Sequence, residues 1–303
     1  MACTAASFVG LVCGAVDENN FDLVYVSGNN VLEYPSLQYD PIMNGSSTWQ
    51  IYHGPLYQAL VPVPHEEWVK LALHVQPGSI AIYVGESSSP ALVIAKPKHR
   101  HTNGRQIGVW GTASGYLRHL TVKEAASVEY AVEPALQAPY CGQSVVTEWL
   151  VSKQPEYNPV RTAVEANGTL NLNALFTSEQ GATVMAACSF ELGEEVESPW
   201  ISFGFSDKLR LWVNGELLYE GSWRWLSPGD INDGRIRPDT VRLPLYWRKG
   251  LNTIRAEVTS EEVHFGWGLA MKVGLPGITF SSKNSPERES ILVPGCRQSE
   301  GAC

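Results

Sequence analysis

The residues best equipped for chemistry are aromatic and close together. Tyr34, Tyr39, Trp49, Tyr52 and Tyr57 fall within 24 residues, with Gln38, Asp40, Asn44, Gln50 and His53 between them. Rings stack on the apolar faces of sugars or polycyclic ligands, while amides and carboxylates fix hydroxyls. Tyr34, Gln38, Tyr39, Trp49, Tyr52 and Tyr57 are therefore expected to line a ligand groove; the alternative makes half the rings core. His53, with His65 and Glu66 or Glu67, could supply a general acid or base, since only histidine titrates near neutrality unperturbed. A lone histidine in a β protein is otherwise a hydrogen-bonded structural residue.

Further along, Trp223-Arg224-Trp225 sets two rings at a spacing of two. They would form a ligand platform or dock on the first half of the chain. Asp230, Asn232 and Asp233 cluster oxygen ligands as in calcium-stabilised jelly rolls, and Asp17 to Asn20 repeats the pattern. The same residue types favour plain turns. His99 and His101 share a strand face, but two ligands are too few for zinc. Lys96, Lys98, Arg100 and Arg105 could hold one anion, or form a solvated loop. Nucleophile elbows, Walker loops, dinucleotide fingerprints and paired-cysteine zinc spacing are absent, so no cofactor is implied beyond a structural calcium.

The elements that position these residues read as strands. Leu71, Leu73 and Val75 alternate, Pro77-Gly78 turns, and Ile80, Ile82 and Val84 resume. Leu209, Leu211 and Val213 lead into Asn214-Gly215, the preferred two-residue hairpin loop. Ile254, Ala256 and Val258 give another inward face. No window holds an amphipathic helix. The pattern predicts an all-β chain of two antiparallel β-sandwich (jelly-roll) domains, over 1–124 and 145–275, with a linker over 125–144 and a tail over 276–303.

A length of 303 residues suffices for two cores, and 44% hydrophobic with 17% charged residues is globular composition. A net charge of −9 argues against a nucleic-acid partner. No apolar run reaches spanning length, so no membrane partner is expected. Six scattered cysteines favour free thiols in a reducing, cytoplasmic setting, which makes the sequons at Asn44 and Asn167 accidental.

Phe8-Val9-Gly10-Leu11, Asp17 to Tyr25, Leu37-Gln38-Tyr39, Trp49, Glu67 to Leu71, Ile82-Tyr83-Val84, Pro90 to Val93 and Gly108-Val109-Trp110-Gly111 carry a resemblance. Residues 8–123 resemble the concanavalin A-like lectin/glucanase superfamily, especially its laminin-G-like branches. Residues 145–273 are similar to galactose-binding or carbohydrate-binding-module jelly rolls, through Val146 to Ser152, Phe203 to Asp207, Trp212 to Gly215, Leu218 to Gly221, Leu243 to Leu245, Gly250 to Asn252 and Gly266 to Gly268. These motifs support fold more than activity. The first resemblance implies one or two opening strands before Phe8; either they are dispensed with, or Ile278 to Phe280 or Ile291 to Val293 fills the vacant sheet edge. The glucanase acidic pair is also missing; Glu195 and Glu197 have the spacing but sit in a loop.

Three readings follow. The first is binding of a carbohydrate or similarly hydroxylated small molecule, its oligomeric state open. The second is a cofactor-independent intracellular cyclase, isomerase or lyase using an aromatic cavity and a His/acid pair. The third is a structural module whose rings are all interior.

Overall fold

The computed structural model describes residues 1–3, 7–28, 36–64, 66–99, 106–131, 144–153, 159–196, 199–225 and 233–281. Among them regular structure is strand alone, and the strands pair antiparallel. The chain is an all-β protein of packed antiparallel sheets.

Ten strands come from the first part of the chain: β1 (Ala2–Cys3), β2 (Phe8–Asp17), β3 (Asn20–Ser27), β4 (Leu37–Ile42), β5 (Gln58–Ala59), β6 (Leu71–Gln76), β7 (Ser79–Val84), β8 (Leu92–Ala95), β9 (Gln106–Thr112) and β10 (Gly115–Tyr116). A five-stranded sheet ordered β5-β4-β3-β2-β9 packs on a three-stranded sheet, β6-β7-β8. Val9, Val24 and Val26 from the first meet Ile80, Ile82 and Ile94 from the second. The Pro77-Gly78 hairpin has the expected register, with Leu71, Leu73 and Val75 opposite Val84, Ile82 and Ile80. At the β2–β3 turn, Asp17 accepts from the Asn19 amide at 2.8 Å and from the Asn20 side chain at 3.0 Å. That backbone bond, then Asn20, holds its carboxyl below the usual range, so its oxygens serve the turn.

The second part supplies β11 (Ser144–Val145), β12 (Glu148–Ser152), β13 (Val160–Ala163), β14 (Thr169–Asn171), β15 (Thr183–Leu192), β16 (Trp200–Ser206), β17 (Lys208–Val213), β18 (Glu216–Ser222), β19 (Val241–Pro244), β20 (Gly250–Thr259) and β21 (Gly268–Val273). A six-stranded sheet, β13-β12-β15-β20-β17-β18, faces β11-β21-β16-β19, with β14 also on β21. Trp149, Phe203, Phe205, Trp247 and Trp267 fill the space between, with Ile254, Ala256 and Val258 turned inward as the alternation requires. Asn214 and Gly215 both take positive φ in the β17–β18 turn, the geometry that selects Asn-Gly in a two-residue loop.

The two sandwiches are joined along a seam. Ile236 and Ala270, from the second part, are buried in the first core. The Ile236 amide donates to the Gln50 carbonyl at 3.0 Å, and the Ser47 amide donates to His264 at 3.0 Å. Asn44 and Asn167 donate across the same seam to the carbonyls of Asn173 and Ile51. One expectation needs correction. Ile278 and Phe280 do not complete the first unit; they pack on the second core, and Ser281 bridges to Ser189 of β15. That stretch follows β21 directly and meets the nearer apolar surface. Ile291 to Val293 lie outside the described residues.

Segment 235–237 crosses β16 at Gly204, where an added Cβ would collide with the Arg237 backbone. Overpacking of this kind costs about 1–3 kcal/mol. Gly204→Ala should lower the urea-unfolding free energy by about that much, whereas Gly193→Ala, facing open space, should stay within about 0.5 kcal/mol of wild type.

Candidate functional site

Much of the expected groove is interior. Tyr39 and Tyr52 are sealed from solvent and Tyr57 nearly so. The three rings pack on one another with centroids 5.0–6.2 Å apart. Segment 43–57 folds back onto β4 and covers it: Asp40 accepts from the Thr48 amide at 2.7 Å and the Ser47 hydroxyl at 2.6 Å. Gln38 turns its amide nitrogen to the carbonyls of Tyr39 and Tyr52. Gln38, Tyr39, Tyr52 and Tyr57 are thus core and seam residues, not a ligand surface. Tyr34 lies outside the described residues.

The seam explains the polar tips of those rings. The Tyr39 hydroxyl donates to Asp22 at 2.5 Å and accepts from the Lys98 amide at 3.0 Å. The Tyr52 hydroxyl donates to Glu165 of the second part at 2.7 Å and accepts from Asn171 at 3.0 Å. Lys98, expected in a solvated loop, pairs with Glu165 and lies over the Tyr52 ring. Burial, then the neighbouring carboxylates, pushes both phenols well above their ordinary pKa.

His53 is also a seam residue. Its Nε2–H donates to the Ile236 carbonyl at 2.9 Å, and burial lowers its pKa to about 4. Glu66 and Glu67 are exposed, with the Glu66 amide bonded to Cys3 beside β1. The charged groups that His53 senses are Arg237, Arg235 and Asp233 instead, so the structure does not support a His53–Glu66/Glu67 pair. Asp233 receives Arg235 at 3.0 Å and Arg237 at 2.5 Å. Its burial opposes ionisation, but the bonds from Arg237 and Arg235 outweigh that and hold the carboxyl at about 2. Asp230 and Asn232 lie outside the described residues, among which no three His, Cys, Asp or Glu side chains could hold a metal ion together.

Trp223 and Trp225 part company. Trp223 packs on the second core. Trp225 reaches the first part, meeting Trp49 edge-on at 5.8 Å and Phe265 at 5.3 Å, while Trp49 meets Phe265 at 6.3 Å. Arg235 stands over the Trp49 ring at 5.4 Å. Burial, then the charge of Asp40, raises the Tyr25 phenol well above its ordinary pKa, and the charge of Arg235 opposes them. Tyr25 lies against Trp110 at 5.6 Å and Phe8 at 5.4 Å, the rings closing over Gly10, which opposes both in register. Two ring clusters, Phe8–Tyr25–Trp110 and Trp49–Trp225–Phe265, are thus built from separate chain segments, with the Arg235 guanidinium over Trp49 of the second. Phe8 and Trp225 are each 37% exposed, and the others are half-buried.

Polar groups edge this face. Glu262 accepts from the Trp225 amide at 3.1 Å and the Gln50 side chain at 3.3 Å. Burial, reinforced by a hydrogen bond and the charge of Asp207, raises its carboxyl to about 7. Asp207 also accepts the amides of Glu261 and Glu262 at 2.5 and 2.7 Å. Glu261 binds Arg224 at 3.0 Å and Lys208 at 2.5 Å. Gln50 Oε1 is buried without a hydrogen-bond partner among the described residues.

Trp49, Trp225, His53 and Asp233 are the expected residues that meet here. Phe8, Tyr25, Trp110, Arg235, Glu262 and Phe265 were missed. Positions 8, 25 and 110 share one sheet face, and that alternation was readable. The approach of Glu262 and Arg235 across the seam left no local signal.

No known protein family matches the sequence, and no curated protein does either. Among solved structures, a family 35 carbohydrate-binding module from an environmental isolate is similar at 14% identity and a TM-score of 0.23. The match covers 35% of this chain and 74% of that one. An α-xylosidase of glycoside hydrolase family 31 from Xanthomonas citri is similar at 11% identity and a TM-score of 0.26, over 92% of this chain and 37% of that one. This chain thus spans little over a third of the xylosidase, and TM-scores this low carry no argument about ligand or reaction.

Proposed function

We propose that this chain binds a neutral, hydroxylated small molecule of the carbohydrate kind along the ring-lined face at the seam. The observation that carries the reading is the cluster of Trp49, Trp225 and Phe265 under Arg235, with a second cluster of Phe8, Tyr25 and Trp110 on the first sheet. Aromatic faces take the C–H faces of a sugar ring, and the polar groups beside them take its hydroxyls. The charges favour a neutral guest. Arg235 and Arg237 are already held by Asp233, and Arg224 and Lys208 by Glu261. Each of these cations already meets a carboxylate, and their remaining N–H groups can serve as donors to hydroxyls.

Glu262 favours a second reading, an acid–base enzyme on the same face. A carboxyl poised near 7 can give or take a proton at working pH. Titrating the protein with a panel of neutral mono- and oligosaccharides, read by calorimetry and tryptophan fluorescence, tests the first reading. At least one sugar should bind saturably, and Trp225→Ala should weaken it at least tenfold with folding intact. A panel without any binder defeats it. Turnover of a bound sugar by wild type but not by Glu262→Gln would favour the enzyme.

Glu262 also gives a pH dependence. Its folded pKa lies above the ordinary 4.5, so between about pH 4.5 and 7 the folded state holds a proton the unfolded chain has lost. Its contribution to stability is present at low pH and is lost as pH rises through about 7. Glu262→Gln keeps the neutral form throughout. The melting temperature of the variant relative to wild type should therefore climb from pH 4.5 to 7.5; a flat difference would contradict the shift.

A further inference from the structure

The first sandwich is not fully closed. A cleft of about 1030 Å³ opens between β2, β9, β6 and the extended stretch 117–125. β6 and β9 are the end strands of their sheets, so the opening runs between two sheet edges. Leu11, Leu71, Leu73, Val75 and Leu117 belong to the first core yet remain only half-buried where they line it. Ile107, Leu120 and Val122 extend the apolar lining outward at 55%, 53% and 69% exposure. Leaving this much apolar surface in water is unfavourable, and such patches mark interaction sites. The volume is at the upper end of ligand pockets, about 300–1,000 Å³. Burial pushes the Cys13 thiol on the floor up, so it is a neutral wall atom.

The wall at 117–125 is tethered beyond its end. The Val128 amide and carbonyl bond the Gln76 side chain, and the Tyr130 hydroxyl meets His74 and Tyr83. The rim is cationic in a chain whose net charge is −9. Lys70, Arg118 and Lys123 stand against Glu86 and Glu124, and Lys70 is tied to Glu86 at 3.2 Å. The Arg118 guanidinium carbon stands over the Trp68 ring at 3.9 Å. A cation–π contact of this kind occupies no N–H donor, so the fork can still take an anion. Neither Arg118 nor Lys123 has an ion-pair partner among the described residues.

We propose that this cleft binds an anionic single-chain amphiphile, the hydrocarbon between β2 and β6 and the carboxylate at Arg118 and Lys123. The apolar walls fix the tail, and the planar fork of Arg118 suits a carboxylate bidentately. This site is separate from the ring-lined face, so the two can fail independently.

The test is calorimetric titration of the full chain with dodecanoate, dodecanol and dodecyltrimethylammonium, each below its micelle threshold. Dodecanoate should bind once per chain, at least tenfold tighter than the alcohol or the cation. Arg118→Glu and Val122→Asp both alter exposed side chains and should keep the wild-type circular dichroism. The first should weaken dodecanoate at least tenfold and the second severalfold, while Trp225→Ala should leave it unchanged. Equal affinity for the three amphiphiles would overturn the carboxylate assignment. So would dodecanoate binding indifferent to Arg118→Glu, or preference for an extended apolar peptide laid along the β6 and β9 edges.

Discussion

Burying β4 and segment 43–57 between two sandwiches takes their polar groups out of water, where a group must find a partner, shed its charge or, like Gln50 Oε1, stay unmet at a cost. Asp40 shows the constraint most clearly. Burial raises its carboxyl to about 6 even though Ser47 and Thr48 bond it. His53 answers the same pressure from the other side, staying neutral with one ring nitrogen on the Ile236 carbonyl. Tyr39 and Tyr52 keep their protons and donate hydrogen bonds to Asp22 and Glu165. A seam built this way is directional, since its hydrogen bonds are met only when both sandwiches hold one orientation. That orientation is what brings Arg235 over Trp49 and Glu262 beside Gln50.

Glu262 differs from Asp40 in a way that matters for function. Both carboxyls are raised mainly by burial. Asp40 is fully enclosed by its own loop, whereas Glu262 is half-buried and touches the amide of the exposed Trp225. Its second raising influence is Asp207, whose Oδ2 accepts two backbone amides and whose Oδ1 accepts the Ser206 hydroxyl. Enclosure makes Asp40 structural, whereas Glu262 stays partly open to solvent.

The hairpins were legible because period-two alternation and turn residues are local: Pro77-Gly78 and Asn214-Gly215 each specify a connection without reference to the rest of the chain. The density of rings between Tyr34 and Tyr57 was legible as well, but its meaning was not. Alternation places Leu37 and Tyr39 on one face of β4, yet nothing local says that a second sandwich will cover the strand. Burial of Tyr39, Tyr52 and Tyr57 is a tertiary outcome, as is the choice of Asp233 over Glu66 or Glu67 as the acid near His53. Trp225 was readable as a docking residue, and its partner Trp49 was already singled out. The contact between them depends on the seam.

The five-stranded sheet then serves two purposes at once. Because strand side chains alternate, β2 sends Leu11 and Cys13 toward the cleft while Phe8 and Gly10 face the rings of Tyr25 and Trp110. Gly10 is the residue that makes this compatible. A Cβ there would stand 2.8 Å from that of Tyr25, prising the rings apart, and relief by moving β2 would narrow or widen the cleft on its far side. One strand therefore carries both surfaces, and the absence of a side chain at Gly10 leaves room for the Tyr25 and Trp110 rings on one of them.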